Sequence, residues 1–179
     1  MALKQDNADS SEEASPSEKT ITWYDPLATA AIGATLSGRQ FLEGIRDGDI
    51  PAPPIAKLMD FSIEEVGEGR VVFGCVPDES HYNPIGMVHG GLVCTLADTV
   101  LGCSVHSLLE AGVAYTSIDL NVSYLRPVYA DGSKLRAIGT VTKMGRRVAF
   151  ATAEILDAKD RVVATASGSV LIMDSRPAS

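Results

Sequence analysis

The chain has 179 residues, 45% of them hydrophobic, and a formal net charge of −8 at pH 7. This length and composition are typical of one globular domain with a sizeable core. The acidic balance argues against nucleic acid and anionic membranes as partners, because both bind to basic surfaces.

The cysteine content and the N-terminal sequence bear on the compartment. Three cysteines are present without a Cys-x-x-Cys pair: Cys75, Cys94 and Cys103. This odd set predicts no disulfide framework and favours a reducing environment. No basic-then-apolar signal segment precedes the domain. The apolar run 92–109 contains Asp98 and His106, which favours a buried helix over a membrane span. We therefore expect a cytoplasmic protein.

The first third of the chain divides into two segments. Residues 1–20 are rich in Ser, Glu, Asp and Ala and are predicted to form a disordered acidic tail. Residues 21–54 are predicted to form an N-terminal helical extension with one or two short helices. Ser37 is a candidate N-cap there and Gly48 a candidate stop. The Pro-rich run 51–54 predicts an extended crossing.

Residues 55–175 are predicted to form the main domain. From Phe61 the hydrophobic period changes to two, which predicts a β-hairpin up to Val76 with its turn at 67–69. An irregular loop should follow over 77–87, and then a long apolar helix over 89–109, ended by the turn before Gly112. Four more strands are predicted, over 114–125, 134–144, 147–156 and 161–173. In the first of them, the alternation places four apolar residues on one face: Ile118, Leu120, Val122 and Tyr124.

This order of elements predicts an α+β fold. One long helix and five or six strands must pack as a helix against one face of a sheet. Because a helix that is hydrophobic all round is a buried one, the sheet should be antiparallel and strongly curved around the central helix. Such a sheet leaves its edges uncovered, which indicates self-association.

The most informative segment runs from Asn83 to Gly91 and is followed by Asp98. Gly90 and Gly91 stand where the long helix begins, so unpaired N–H groups there can bind an oxyanion. A carboxylate within an otherwise apolar run needs partners or a task. Together these features predict a site that polarises a carbonyl at the helix tip and activates water from a carboxylate.

The same segment contains the motif Asn83…Gly86…His89-Gly90-Gly91…Leu96-Ala97-Asp98. This motif resembles the signature of the hotdog-fold acyl-CoA thioesterases of the PaaI-like branch. The likeness continues through 117–127 to about Met173. It implies hydrolysis of acyl-CoA to the free acid and CoA, with no cofactor and no metal. It also implies a dimer or a dimer of dimers (a homotetramer), with active sites at the subunit interface.

The resemblance assigns roles to the residues of the motif. Asp98 is the candidate nucleophile or general base, supplied by the neighbouring subunit. Gly90 and Gly91 offer N–H groups to the thioester carbonyl. Asn83 either binds the carbonyl or the water, or is only a turn residue. His89 caps the helix, orients the loop or touches the substrate.

Ser117 and Thr116 are neighbours in a predicted strand, so only one of them can face the site. The resemblance places a Ser or Thr near the carboxylate of the facing subunit, and Ser117 is the candidate for it. Thr116 is retained as a candidate substrate contact.

Coenzyme A carries several phosphate charges, so an acidic chain needs local cations to bind it. The densest basic turn supplies three candidates: Lys143, Arg146 and Arg147. Arg126 is a fourth. A solvated hairpin turn is the alternative interpretation of this basic cluster.

Two other functions remain as alternatives. A hotdog hydratase or dehydratase would add a catalytic His against the carboxylate, whereas His89 at the helix start resembles the thioesterase pattern. A non-catalytic acyl-CoA-binding sensor usually carries a DNA-binding domain, and residues 1–60 are too acidic for one. Metal-ligand spacing, the Gly-x-Ser-x-Gly elbow and Gly-rich nucleotide loops do not occur in the sequence.

Overall fold

The structure is a computed structural model, and it describes residues 15–174. Three short helices come first, α1 (Pro26–Gly33), α2 (Gly38–Asp47) and α3 (Pro54–Leu58). They are followed by β1 (Phe61–Gly67), β2 (Arg70–Cys75), a 3₁₀ turn (Glu79–His81), the central helix α4 (Gly90–His106), β3 (Val113–Tyr124), β4 (Leu135–Lys143), β5 (Val148–Leu156) and β6 (Val162–Asp174).

The six strands form one antiparallel sheet in the order β1-β2-β4-β5-β6-β3. The sheet curves around α4, which contacts β2, β3, β4, β5 and β6. The predicted α+β architecture, a curved antiparallel sheet around one long helix with helices before it, is confirmed. Strands β1 and β3 are the two edges of the sheet.

The hydrophobic core lies between α4 and the inner face of the sheet. Leu96, Val100 and Val105 of the helix are fully buried, as is Ile155 of β5. Burying a side chain of this size contributes roughly 1.5–3 kcal/mol. A Cβ at Gly139 would lie 2.1 Å from the carbonyl oxygen of Val100, so β4 requires glycine where the helix crosses it.

The N-terminal helices begin and end where local chemistry dictates. The Ser37 side chain accepts a hydrogen bond from the Gln40 N–H in a capping box, and Gly48 ends α2 with φ +85°, as predicted. The extended crossing holds only up to Pro53, because Pro54 is the first residue of α3. Proline is compatible with that position, since the missing N–H would be unpaired there anyway.

The predicted acidic tail is described only from residue 15 onward, and residues 1–14 lie outside the described part. Within it, the Lys19 ammonium contacts Asp60 at 2.5 Å and Asp78 at 2.8 Å. The Ser17 hydroxyl donates to Glu79 at 3.1 Å. Residues 17–19 are therefore held against β1 and the 3₁₀ turn.

The central helix is shorter at its C-terminal end than the predicted span to residue 109. It stops at His106. The next residue, Ser107, donates its hydroxyl to the Ser104 carbonyl and accepts from the Gly69 N–H, at 2.8 and 2.9 Å. In the described part of the chain, no helix is long and apolar enough to cross a membrane.

Strand β3 contains a β-bulge between Ser117 and Asp119. The predicted single alternation was wrong at this point. Tyr115 before the bulge and Leu120 after it both pack against the core, whereas Ile118 is 54% exposed. The bulge adds one residue to the strand, so the facing pattern shifts by one position.

Candidate active site

The carboxylate of Asp98 and the hydroxyl of Ser117 form a direct pair. Asp98 lies on an exposed side of α4, and its Oδ1 accepts a 2.7 Å hydrogen bond from Ser117 Oγ. The resemblance implied a hydroxyl beside the carboxylate of the facing subunit. The structure instead brings Ser117 to the carboxylate of its own chain.

The β-bulge positions Ser117 for this contact. Because the register shifts between Ser117 and Asp119, Tyr115 and Ser117 face α4 together, and Leu120 still faces the core. Bulges commonly re-aim a side chain beside a functional site. Thr116 lies on the opposite strand face from Ser117, so it does not reach the carboxylate.

Three titratable groups where α4 packs against β3 are neutral near pH 7. Burial raises the pKa of the Cys103 thiol to about 12, and the Asp98 charge adds to the shift. Burial also raises the pKa of Tyr115 well above its ordinary value, with the neighbouring Cys103 contributing. Burial lowers the pKa of His106 to about 4. The Cys103 thiol is therefore not a thiolate nucleophile.

The N-terminus of α4 is capped by the residue before it. The Nδ1 atom of His89 accepts a 2.8 Å hydrogen bond from the Gly91 N–H, so the capping interpretation of His89 holds. The Gly91 N–H is thus committed to the cap. Within residues 15–174, no hydrogen bond has the Gly90 N–H as its donor.

Tyr124 closes the side of this helix tip. Its hydroxyl donates to the Gly90 carbonyl at 3.0 Å, and a Cβ at Gly90 would lie 3.2 Å from its ring. A side chain at residue 90 would therefore crowd the Tyr124 ring, which would have to shift by a few tenths of an ångström. Sequence reasoning did not single out Tyr124, because the strand alternation placed it only on one face with other apolar residues.

Asn83 is both a turn residue and a candidate ligand. Its Oδ1 accepts from the N–H groups of Ile85 and Met87 at 3.0 and 3.4 Å, and its own N–H donates to the Met87 carbonyl at 2.9 Å. Gly86 allows this loop with φ +80°. Because Oδ1 is occupied, the side chain offers its Nδ2 group as a donor.

Asn83 and Gly90 line the same cavity, of about 360 Å³. Arg126 also lines it, with its guanidinium donating to the Val162 carbonyl. The structure therefore brings together two neutral donors and one cation at the helix tip.

The helix tip and the carboxylate are separate in one chain. Gly90 and Asp98 are eight residues apart on α4, which corresponds to about 12 Å along the helix axis. The first N–H groups of a helix point away from its body, so the Gly90 donor points away from Asp98. One carbonyl cannot contact both groups of the same chain.

The basic turn between β4 and β5 lies at the end of the sheet where Thr116 and Ser117 are found in β3. Val148, just after the turn, pairs with Leu171 of β6, and Leu171 pairs with Thr116 of β3. Two strand spacings, about 10 Å, therefore separate the backbone of Val148 from that of Thr116. Its three cationic side chains are exposed and make no hydrogen bond or ion pair with other described residues: Lys143, Arg146 and Arg147.

Known proteins are similar to this chain in sequence and in fold. The sequence model of the Thioesterase superfamily matches residues 85–164. Human acyl-coenzyme A thioesterase 13 is 34% identical over 100 residues, which are 55% of this chain and 69% of the human protein.

Two solved structures are also similar. A phenylacetic acid degradation-related protein of Ralstonia eutropha aligns with a TM-score of 0.67 at 27% identity, covering 73% of this chain and 98% of that protein. The E. coli PaaI protein, from the phenylacetic acid degradation operon, aligns with a TM-score of 0.66 at 24% identity, covering 76% of this chain and 94% of PaaI.

Proposed function

The chain belongs to the thioesterase superfamily as a PaaI-like, hotdog-fold thioester hydrolase, and we propose that its substrates are acyl-CoA thioesters, cleaved to the free acid and CoA. The observation that carries this proposal is the exposed Asp98–Ser117 pair, together with the unoccupied donors at the tip of α4. The name of the human relative, an acyl-CoA thioesterase, agrees with this substrate class.

The proposed active site is shared between two copies of the chain. One copy supplies the helix tip with Gly90 and Asn83, and the other supplies Asp98 with Ser117. The separation of about 12 Å within one chain supports this division. The edge of β3 supports self-association, because the twelve residues of that strand have no strand neighbour on one side within residues 15–174. We propose a dimer or a dimer of dimers.

The chemistry follows from these positions. The Gly90 N–H and the Asn83 amide donate to the thioester carbonyl oxygen and stabilise the oxyanion that forms. Asp98 of the other copy takes a proton from a water molecule as that water attacks the carbonyl carbon. The tetrahedral intermediate then expels the CoA thiolate, which receives the proton.

Ser117 has a positioning role in this scheme. Its hydrogen bond occupies Asp98 Oδ1 and fixes the carboxylate, so that Oδ2 is left to contact the water or the substrate. Direct attack by Asp98 on the carbonyl carbon, through an anhydride, is the other route open to the same geometry.

The phosphates of CoA need cations outside the reacting centre. Arg126 lines the cavity at the helix tip, and the basic turn containing Arg146 and Arg147 lies at the level of Ser117. We assign the phosphates to the basic turn first and to Arg126 second. His89 has a structural role in this scheme, since its ring caps α4.

A panel of acyl-CoA thioesters with thiol detection tests the proposal. We expect CoA release by the wild-type chain, and a kcat at least about 100-fold lower for Asp98→Asn, the scale of a lost general base or nucleophile. Circular dichroism must show that the variant is folded. Hydration of crotonyl-CoA without CoA release would favour the hydratase, and binding without turnover would favour the sensor; either result would overturn the proposal.

A further inference from the structure

A second and larger cavity, of about 540 Å³, lies between the N-terminal helices and α4. One wall is the face of α4 that carries Thr99, Cys103 and His106, and Tyr115 of β3 continues that wall. The opposite walls come from α1, α2, α3 and the start of β1. The superfamily match begins at residue 85, so these opposite walls lie outside the matched segment.

The lining of this cavity suits an uncharged, apolar ligand. Ala30, Leu42 and Phe73 are among its apolar side chains. The Cys103 thiol and the Tyr115 hydroxyl are uncharged near pH 7, because burial raises the pKa of both. The two cationic residues in the lining, Arg46 and Lys57, are exposed, and the Arg46 guanidinium is already paired with Asp47 at 2.8 Å.

The cavity lies near the proposed catalytic pair, although neither Asp98 nor Ser117 lines it. Thr99 is the residue after Asp98 on α4, and Tyr115 faces the same side of β3 as Ser117. The cavity wall therefore begins one residue after Asp98 on α4 and lies on the strand face of Ser117. It then follows α4 from Thr99 to His106, which is a distance of about 10 Å.

We propose that this cavity binds the acyl chain of the substrate, and that the substrate class is medium-chain acyl-CoA. This inference rests on the proposed function. A chain of single bonds advances roughly 1.3 Å per bond when extended, so about 10 Å corresponds to about eight carbons. The volume also lies within the range of about 300–1,000 Å³ of small-molecule sites. The N-terminal extension then acts as the wall that sets chain-length preference.

A cavity-filling substitution with a matched control tests the assignment. Ala30 lines the cavity, and Ala28 lies two residues earlier on α1, about 200° around the helix, without lining it. We expect Ala30→Phe to lower the ratio of kcat/KM for octanoyl-CoA to that for acetyl-CoA at least about 10-fold, since a filled pocket excludes the longer chain. Ala28→Phe should leave that ratio at the wild-type value.

The outcomes separate this inference from the proposed function. If the wild type releases CoA but Ala30→Phe keeps the wild-type ratio, the cavity assignment is wrong and the thioesterase proposal stands. If no acyl-CoA is hydrolysed, the proposed function fails, and calorimetric titration with octanoate decides on the cavity. Binding to the wild type and to Ala28→Phe, with loss in Ala30→Phe, would support an apolar-chain site. Equal binding to all three would overturn it.

Discussion

Ser117 Oγ lies 2.7 Å from Asp98 Oδ1, although the two residues are 19 positions apart and belong to different elements. The contact depends on the bulge between Ser117 and Asp119, which turns Ser117 toward α4 without taking Leu120 away from the core. It orients a carboxylate that is otherwise free to rotate on the surface of one chain. The exposed position of the pair is where a second copy can bring a thioester.

Removal of the Ser117 hydroxyl should impair catalysis more than removal of the Thr116 hydroxyl. We expect Ser117→Ala to lower kcat roughly 10-fold to 100-fold, since a hydrogen bond to a charged group contributes about 1.5–3 kcal/mol. Thr116→Ala, on the other strand face, should have a much smaller effect. Steady-state kinetics of both variants on one acyl-CoA make the comparison. Equal losses of kcat in the two variants would contradict the positioning role of Ser117, because only Ser117 lies on the strand face that contacts Asp98.

The basic turn should hold the phosphates of CoA equally in the ground and transition states. We expect Arg146→Ala combined with Arg147→Ala to raise KM at least about 5-fold with little change in kcat. The defect should shrink for a short thioester without the nucleotide, and the wild-type KM should rise with salt. An unchanged KM at low salt would mean that the turn is a solvated hairpin and that Arg126 is the next candidate.

Lys19 should anchor the segment before α1. Partial burial alone would lower the pKa of Lys19, but its hydrogen bonds to Asp60 and Asp78 raise it. Hydrogen bonds from Lys19 and Ser80 hold the pKa of Asp78 well below its usual range. Because the pKa of Asp78 is lowered and that of Lys19 is raised, this stabilisation is complete between about pH 4 and 10. It is lost progressively as the pH falls through the folded pKa of Asp78 or rises through the folded pKa of Lys19.

We therefore expect Lys19→Ala to lower the Tm by up to about 3 °C at pH 7. The difference from the wild type should begin to shrink below about pH 4, where Asp78 becomes protonated in the unfolded chain. It should disappear only as the pH falls through the lowered pKa of Asp78 in the folded chain. Deletion of residues 1–14, which keeps Lys19, is the control and should leave the Tm close to the wild-type value. If the deletion lowers the Tm as much as Lys19→Ala does, Lys19 is not the residue that anchors this segment.

His106 should make stability depend on pH. Burial lowers its pKa to about 4 in the folded chain, against about 6.5 when unfolded. The unfolded chain thus binds more protons between these values, so the free energy of unfolding falls as the pH falls from about 6.5 to about 4, by up to about 3 kcal/mol. His106→Phe keeps a ring beside Phe41 and Tyr115 and should reduce this loss. Urea unfolding of both proteins at pH 7 and pH 4.5 measures the fall in the free energy of unfolding. An equally large fall in His106→Phe would show that His106 does not cause it.

Periodicity and local capping signals were sufficient to predict much of the fold. The change to period two at Phe61 and the capping box at Ser37 each specify an element locally. The start of α3 at Pro54 was missed, because proline is compatible both with an extended run and with a first helical turn. The bulge after Ser117 was also missed, since a single inserted residue leaves the composition of a strand unchanged.

The residues of the candidate site could be predicted from the sequence, but the contacts between them could not. The Gly pair and the lone carboxylate in an apolar helix mark two functional positions in the sequence. Which N–H of the pair is available depends on the side chain of His89, which binds the Gly91 N–H. The walls of the larger cavity come from segments that are distant in sequence, such as α1 and β3. No local sequence pattern therefore predicts this cavity.

Recombination of two inactive variants tests the shared active site most directly. Asn83→Asp keeps the Oδ1 acceptor that closes the loop and removes the amide donor, whereas Asp98→Asn removes the base of the other half-site. Each variant alone should be nearly inactive. Refolded together in equal amounts, they should regain about a quarter of wild-type activity, because half of the dimers are mixed and one of their two sites is intact. Activity no higher than the mean of the two separate variants would place both half-sites in one chain and contradict the account.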